Sequence, residues 1–230
     1  MKQFMQFSII AIICTSLFAC GPSIKTIVKM RPIAEYDDYS VSEKDQAITL
    51  TKEDIKMTLI YQDADKLESY SKSISINPYM TENKVLFTVF LLTIENKRDD
   101  RIIWEPGKCV ILDGIGNQFN GFTIDSFKNM YPSTSAQYYT YSPIFDEYTP
   151  RTAYTEEYYK RKTAEETMIK GGDVYSAVKS KGLLVFEKVS REASQISLII
   201  PAVVLYKDNQ IVNKIDFKFK FSQEVRLIRQ

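Results

Sequence analysis

The sequence contains no histidine among its 230 residues. Ser-His-Asp and Cys-His nucleophiles both need an imidazole base, so this absence excludes both kinds of catalytic site. It also removes the zinc sites that are built on histidine, and the three cysteines of the chain are too few and too scattered for a thiolate cluster. Carboxylate chemistry, a Ser-Lys pair and hard-cation binding by oxygen ligands are the chemistries that remain.

An excess of charge of one sign is also lacking. The chain has 30 basic and 29 acidic residues, a formal net charge of +1, and the two signs are interspersed. The composition therefore predicts neither a nucleic-acid-binding stripe nor a polybasic membrane patch, and no nucleic-acid partner is expected.

The amino terminus has the layout of an export signal. Residues 1–19 read MKQFMQFSIIAIICTSLFA, with a lysine near the start, an apolar centre and no acidic residue. A transmembrane helix needs about 20 apolar residues, and the apolar run from Phe4 to Leu17 is shorter than that. Residues 1–19 are therefore predicted to be a signal peptide that is removed.

A cysteine follows this apolar run, in the order Leu17, Phe18, Ala19 and Cys20. These four residues resemble the lipobox of bacterial lipoproteins. The resemblance implies that Cys20 becomes the acylated first residue and anchors the protein in a membrane, since two or three acyl chains hold a protein stably. Gly21 in place of an aspartate implies transport to the outer membrane, in bacteria that sort by this position. The alternative is an ordinary signal peptide with Cys20 incidental.

The cysteines predict no intramolecular disulfide in the mature chain. Cys14 falls in the signal and Cys20 in the lipobox, so Cys109 is the only free thiol expected in the mature chain, even in an oxidising compartment. Cys109 lies in the segment KCVILD, a predicted strand. The expected role is that of a small buried hydrophobe, and the alternative is a reactive thiol.

The catalytic chemistries that need no histidine have only weak signatures in the sequence. Two S-x-x-K tetrads, at residues 69–72 and 176–179, resemble the nucleophile motif of penicillin-binding proteins, but the partner motifs S-D-N and K-T-G are absent. Adjacent acids such as Glu156 and Glu157 could serve a glycosidase, although neighbouring carboxylates usually form a solvated face. Residues 37–45 lack the spacing and glycine of a calcium loop. No catalytic residue, metal site or cofactor is predicted.

The body of the chain consists mainly of predicted strands. In KIDFKFKF, Phe217, Phe219 and Phe221 alternate with charged residues, so period two places the aromatic rings on one face. The segment DGIGN, residues 113–117, predicts a hairpin turn. Eight to ten short strands with such turns predict an antiparallel β-sandwich. The strand candidates are residues 24–30, 47–51, 55–61, 85–96, 108–113, 181–189, 194–206 and 214–221.

Two groups of motifs carry a family resemblance. The first group is Ile94, Asn96, Leu112, Asp113, Gly114, Gly116 and Phe119, and the second is Gly182, Leu184 and Phe186. They resemble the immunoglobulin-like domains of unknown function found in bacterial lipoproteins. The resemblance covers about half of the mature chain and implies an immunoglobulin-like β-sandwich, with no implied activity.

The predicted organisation has three parts. Residues 1–19 are the signal, residues 20–46 are a lipidated amino terminus that is either a tether or an edge strand, and residues 47–230 are the sandwich. An insertion at about 123–172 interrupts the sandwich and contains one predicted helix, from Thr152 to Lys170, that ends at a Gly-Gly pair.

The insertion holds eight of the fifteen tyrosines. Tyrosine gives large, stiff and amphipathic contact area, which is why recognition loops use it. The alternative is that the rings pack the insertion onto the sheet. The candidate binding surface is Tyr131, Tyr138, Tyr139, Tyr141 and Tyr148.

Three functions are compatible with these features. The favoured hypothesis is a non-enzymatic, lipid-anchored protein of the cell envelope that binds another protein or helps to assemble an envelope complex. The second is a glycan or small-molecule binder that uses the tyrosines. The third is a histidine-free carboxylate hydrolase.

Overall fold

The computed structural model describes residues 24–34, 38–69, 76–81, 84–132, 135–142 and 147–229. The described chain is mainly β, its large sheets are antiparallel, and the predicted β-sandwich is confirmed. The chain divides into two compact units. One is Met1–Val28 with Val225–Gln230, and the other is Lys29–Glu224.

The strands, numbered in chain order, are β1 (Ile24–Ile33), β2 (Tyr39–Ser42), β3 (Ala47–Lys52), β4 (Ile55–Tyr61), β5 (Met80–Thr81), β6 (Lys84–Val85), β7 (Thr88–Asn96), β8 (Ile102–Trp104), β9 (Val110–Asp113), β10 (Gln118–Asn120), β11 (Ser135–Ser142), β12 (Glu147–Tyr154), β13 (Gly172–Val174), β14 (Lys179–Phe186), β15 (Gln195–Lys207) and β16 (Gln210–Arg229). The α-helices are α1 (Ala64–Glu68), α2 (Ile124–Lys128) and α3 (Glu156–Thr167). A short 3₁₀ helix spans Pro106–Lys108.

Two large sheets contain most of these strands. The seven-stranded sheet has the order β1-β16-β15-β8-β13, with β9 also paired to β15 and β10 paired to β9. The five-stranded sheet has the order β14-β7-β4-β3-β2. Two-residue turns close two of the hairpins, Glu53-Asp54 between β3 and β4 and Asp208-Asn209 between β15 and β16, and all four residues have positive φ. Asp and Asn tolerate that conformation, so the sequence favours these turns.

Buried side chains from both large sheets form an inner cluster. On β16, Phe217, Phe219 and Phe221 are fully buried, as the alternating pattern predicted, whereas Asp216 and Lys218 are exposed. The inner cluster also takes side chains from β3, β4, β7, β9, β14 and β15, among them Leu50, Met57, Phe90, Ile111, Leu184 and Leu198.

A second, outer cluster covers the other face of β7 and β14. Phe90 of β7 belongs to the inner cluster and its neighbour Val89 to the outer one, so this strand is buried on both faces, in keeping with its continuous apolar sequence. All three helices contribute to the outer cluster, which comprises Leu67, Tyr79, Val89, Phe127, Ala164, Met168, Leu183 and Val185. The sandwich therefore has a third, helical layer over part of one sheet.

The free edge of β14 is partly covered by the chain on either side of the insertion. Phe122 donates its backbone N–H to the carbonyl oxygen of Val185 at 2.8 Å, and Ile169 donates to that of Leu183 at 2.9 Å. Gly182 permits the second contact, because a Cβ at that position would lie 2.7 Å from the backbone nitrogen of Ile169. The insertion thus begins and ends on the same strand.

The helix predicted from Thr152 to Lys170 is shorter in the structure, at Glu156–Thr167. Residues 152–154 belong instead to β12, where they pair with residues 135–137 of β11. The helix ends early because Met168 adopts an extended conformation and bridges to Leu183. Within the predicted terminal segment 20–46, residues 24–33 and 39–42 form strands.

Asn96 and Asp113, two of the motif residues, hold turns together. The buried Asn96 side chain donates to the carbonyl oxygens of Asp100 and Val174, each at 2.9 Å, and accepts from the backbone N–H of Arg98. The Asp113 carboxylate accepts from Ile115 and Asn117. Burial opposes ionisation of Asp113, but these hydrogen bonds outweigh it and hold the pKa of its carboxyl below the usual value. Both residues serve the fold.

Cys109 is buried and free, immediately before β9. Its thiol donates a weak hydrogen bond to the carbonyl oxygen of Glu105 at 3.6 Å. Burial raises the pKa of the Cys109 thiol far above its ordinary value. A thiol that stays protonated is a poor nucleophile, so the expected role as a small buried hydrophobe fits the structure.

Candidate functional site

The tyrosine-rich insertion folds into a β-hairpin followed by a helix. The strands β11 and β12 pair over eight positions, from Ser135↔Tyr154 to Ser142↔Glu147. They form a two-stranded sheet of their own. We call this pair of strands the aromatic hairpin. It leads through the single residue Thr155 into α3.

Thr155 is the N-cap of α3, and its hydroxyl accepts a hydrogen bond from the backbone N–H of Tyr158 at 3.4 Å. The cap arranges three tyrosines at the junction of hairpin and helix. The rings of Tyr154 and Tyr158 stack with their centroids 4.0 Å apart, and Tyr159 lies edge-on to both. Tyr154 is 46% exposed and Tyr159 is 37% exposed. We call these three residues the junction tyrosines.

The helix behind the junction tyrosines is anchored to the sandwich. Ala164 is fully buried in the outer cluster. The hydroxyl groups of Thr167 and Tyr79 are hydrogen-bonded at 2.5 Å, and Thr163 donates to the carbonyl oxygen of Ile76 at 3.3 Å. Lys128 and Glu165 form an ion pair between α2 and α3. These contacts hold α3, and with it the junction tyrosines at its amino-terminal end, against the sandwich.

Tyr131 also packs against the helical layer that carries the junction tyrosines. Its ring is 5.5 Å from the ring of Phe127, and its hydroxyl donates to the carbonyl oxygen of Pro78 at 3.3 Å. Lys160 lies over the ring at 5.3 Å and pairs with Glu156 at 2.7 Å. The hydrogen bond to Glu156 raises the pKa of Lys160, and partial burial raises that of Tyr131. Of the five predicted binding tyrosines, Tyr131 has the contacts of a packing residue.

The other four predicted tyrosines belong to the aromatic hairpin. The register places Tyr141 opposite Tyr148, Tyr138 opposite Arg151 and Tyr139 opposite Pro150. Their side chains lie outside the described part of the structure, as does Cys20. Opposed residues of a hairpin lie about 5 Å apart at Cβ, so the register makes positions 141 and 148 direct neighbours. Period two places position 139 on the same face of the hairpin and position 138 on the opposite face.

The junction tyrosines were not among the predicted binding residues. A signal for them exists in the segment YTEEYY, because an apolar residue just before an N-cap commonly packs on the fourth residue of the helix. Tyr154 and Tyr159 occupy those two positions.

The residues considered for catalysis have other partners. Lys179 of the second S-x-x-K tetrad pairs with Glu95 at 2.8 Å, and this contact lowers the pKa of Glu95. Ser69 of the first tetrad donates to the carbonyl oxygen of Lys66 at the end of α1, and Lys72 lies outside the described residues. Across the described ranges, no cluster of three or more cysteine and acidic side chains is arranged to hold a metal ion.

Fold and site define a mainly-β antiparallel sandwich that presents an aromatic hairpin on an anchored helix. Compared with family models, with curated proteins and with solved structures, the chain has no match in any of the three. The resemblance to immunoglobulin-like domains of lipoproteins therefore stays a prediction from the sequence motifs. None of the helices in the described ranges has the length and apolar character needed to cross a bilayer.

Proposed function

We propose that this protein is a non-enzymatic binding module, held at a bacterial envelope membrane by acylated Cys20, that captures a protein partner with the aromatic hairpin and the junction tyrosines. One observation carries the recognition part of the proposal. The hairpin pairs with no other described strand, yet leads directly into a helix that is fixed to the core.

An unsupported two-stranded hairpin is only marginally stable in water. A partner that covers its rings would add apolar contact and so stabilise the hairpin. Tyrosine suits this role, because a ring with few rotatable bonds loses little entropy on binding and its hydroxyl keeps the unbound surface soluble. The anchored helix reduces the ordering cost further, since preorganisation is a main source of affinity.

The anchor is supported by the export signal and lipobox in residues 1–20. Growth with an alkyne fatty acid, followed by attachment of a dye, tests it. We expect the wild-type protein to carry the label and Cys20→Ala to lack it. A Cys20→Ala protein that remained labelled would contradict acylation at this position. Fractionation of the two membranes then tests the expected transport to the outer membrane.

Recognition is tested by photo-crosslinking in whole cells, with the crosslinker placed at position 137, on the same face of β11 as positions 139 and 141. We expect one dominant crosslinked protein. Combined alanine substitution at Tyr138, Tyr139 and Tyr141 should remove it, and Tyr154→Ala should weaken it. Tyr175→Ala is the matched control, because this tyrosine is 58% exposed and lies outside the insertion.

Thermal unfolding of the same variants separates recognition from packing. If the rings serve recognition, the triple variant keeps the melting temperature of the wild type while losing the crosslink. A large fall in melting temperature would instead show that the rings pack the insertion onto the sandwich, and would contradict the proposal.

A glycan ligand is the second candidate. The exposed Tyr154 ring, held nearly parallel to that of Tyr158, offers a flat aromatic face of the kind on which sugar rings stack. A glycan array probed with wild type and Tyr154→Ala distinguishes this function, because protein capture predicts no glycan signal that depends on Tyr154.

A further inference from the structure

Strand β16 continues past the last residue that pairs with β15. Its pairing with β15 ends at Gln195↔Ser222, and the strand continues to Arg229 with β1 as its other neighbour in the sheet order. The start of β1 and the end of β16 belong to one compact unit. Residues from the two ends of the chain therefore form a two-stranded ribbon, which we call the terminal ribbon, made of Ile24–Val28 and Val225–Arg229.

The composition of the terminal ribbon differs from that of the whole chain. It contains the basic residues Lys25, Arg226 and Arg229 and no acidic residue, although the chain as a whole is almost neutral. The remaining positions are mostly apolar. Leu227 is 69% exposed, the largest exposed fraction among the large hydrophobic side chains of the described ranges. Basic residues mixed with exposed apolar ones are typical of segments that bind at a membrane interface.

The chain between Cys20 and the ribbon is very short. Only Gly21, Pro22 and Ser23 separate Cys20 from Ile24, and so few residues span at most about 14 Å in any conformation. That distance is close to the Debye length of about 10 Å at 0.1 M salt. A cysteine whose acyl chains are in a bilayer would hold the ribbon within electrostatic range of the headgroups.

We infer that the terminal ribbon docks on anionic lipid headgroups beside the acylated Cys20, drawn there by its excess of basic residues and with Leu227 in the interface. This inference rests on the proposed acylation. Each basic residue near an anionic surface contributes about a fivefold preference. Period two places positions 226 and 229 on opposite faces of β16, so one face of the ribbon carries at most two of the three basic residues and favours the docked state by about 25-fold at most. The acyl chains fix the protein to the membrane, and the ribbon adds a second contact with the lipid headgroups.

The experiment uses the full-length protein, acylated in cells, purified in detergent and reconstituted into vesicles. An environment-sensitive fluorophore is attached at Leu227→Cys, and Cys109 stays unlabelled because it is fully buried. Vesicles of phosphatidylcholine alone are compared with vesicles that also contain phosphatidylglycerol. A fluorophore at Ile115→Cys, which is 59% exposed in the other compact unit, is the control.

We expect a blue shift at position 227 that requires phosphatidylglycerol and is reversed when salt shortens the Debye length to about 3 Å at 1 M. No shift is expected at position 115. Combined substitution of Lys25, Arg226 and Arg229 by glutamine should remove the shift. The matched variant replaces the exposed lysines Lys181, Lys207 and Lys214 by glutamine and should keep it.

The outcomes separate the two proposals. A protein that floats with both kinds of vesicle but gives the same emission at position 227 in each overturns ribbon docking and leaves the lipid anchor standing. A protein whose mass shows no acylation and that does not float overturns both. The salt reversal needs no charge variant, so misfolding of the triple-glutamine protein would leave the measurement decisive.

Discussion

The side-chain amide of Asn96 donates a hydrogen bond to the carbonyl oxygen of Val174 at 2.9 Å, although the two residues are 78 positions apart. Asn96 ends β7 and Val174 ends β13, which belong to different sheets. The backbone of Asn96 also accepts from the N–H of Ala177 and donates to the carbonyl oxygen of Val178. One asparagine thus joins the two sheets at the end of β7.

Replacement of Asn96 by alanine should lower the free energy of unfolding by about 2 to 4 kcal/mol, because it leaves buried carbonyl groups without donors. At this chain length each kcal/mol lowers the melting temperature by about 2 to 4 °C. Denaturant unfolding is the measurement, and Asn120→Ala, at an exposed position, is the control with an expected change within about 0.5 kcal/mol. Equal effects of the two substitutions would contradict the structural role of Asn96.

Replacement of Gly182 by alanine should also destabilise the protein, by about 2 kcal/mol or more, because the new Cβ overlaps the backbone of Ile169. At Gly114 a Cβ would lie 3.6 Å from the carbonyl oxygen of Gln195, which is ordinary contact. Gly114→Ala is therefore expected to change stability by less than about 1 kcal/mol. The comparison uses thermal and denaturant unfolding, and a Gly182→Ala protein as stable as Gly114→Ala would show that the two backbones are not so close.

Stability should fall at alkaline pH. Burial raises the pKa of the Cys109 thiol in the folded state, whereas in the unfolded chain a thiol titrates near about 8.5. The thiol's contribution is therefore present below the unfolded pKa and is lost above it, by about 1.4 kcal/mol for each pH unit. Burial likewise raises the pKa of Tyr61, which adds a second loss above about pH 10.

Denaturant unfolding between pH 7 and pH 10 measures this loss. Cys109→Val keeps a buried apolar side chain of similar size. This variant should lack the part of the fall in unfolding free energy that begins near about pH 8.5. If the unfolding free energy of Cys109→Val fell with pH as steeply as that of the wild type, the loss of stability would come from other titrating groups.

Tyr131 and Tyr154 should respond differently to alanine. Tyr131 contacts the outer cluster, so its removal is expected to cost about 2 kcal/mol of unfolding free energy. Tyr154 is exposed and loses mainly its stacking with Tyr158, so about 1 kcal/mol or less is expected. Thermal unfolding checks both, and a reversed order would mean that the junction tyrosines are part of the packing.

Local patterns were enough to predict most of the sandwich. The alternation in β16 follows from period two, and the continuous apolar run of β7 follows from burial on both faces. Both patterns can be recognised from residues that are adjacent in the sequence. The three-residue strands β8 and β13 carry too few positions to show a period. Their pairing depends on residues of β15 and on each other, at distances along the chain that no local pattern reports.

The site was only partly predictable for the same reason. The density of tyrosines located the insertion, but residues 152–154 were assigned to the helix because their pairing with residues 135–137 leaves no trace in helical periodicity. The balanced total charge predicted no basic membrane surface. Lys25 and Arg226 are some 200 positions apart, and only the pairing of β1 with β16 places them in one ribbon.

The insertion is attached to β14 at both ends, and its hairpin is not part of either large sheet. Phe122 and Ile169 cover an edge that could otherwise accept a strand from another molecule, and the described strands between them, β11 and β12, belong to neither large sheet. Substitutions in these two strands are therefore expected to leave the strand pairing of both large sheets intact. If the hairpin binds a partner as proposed, substitutions in residues 135–142 and 147–154 would change the choice of partner and keep the two sheets that carry the hairpin.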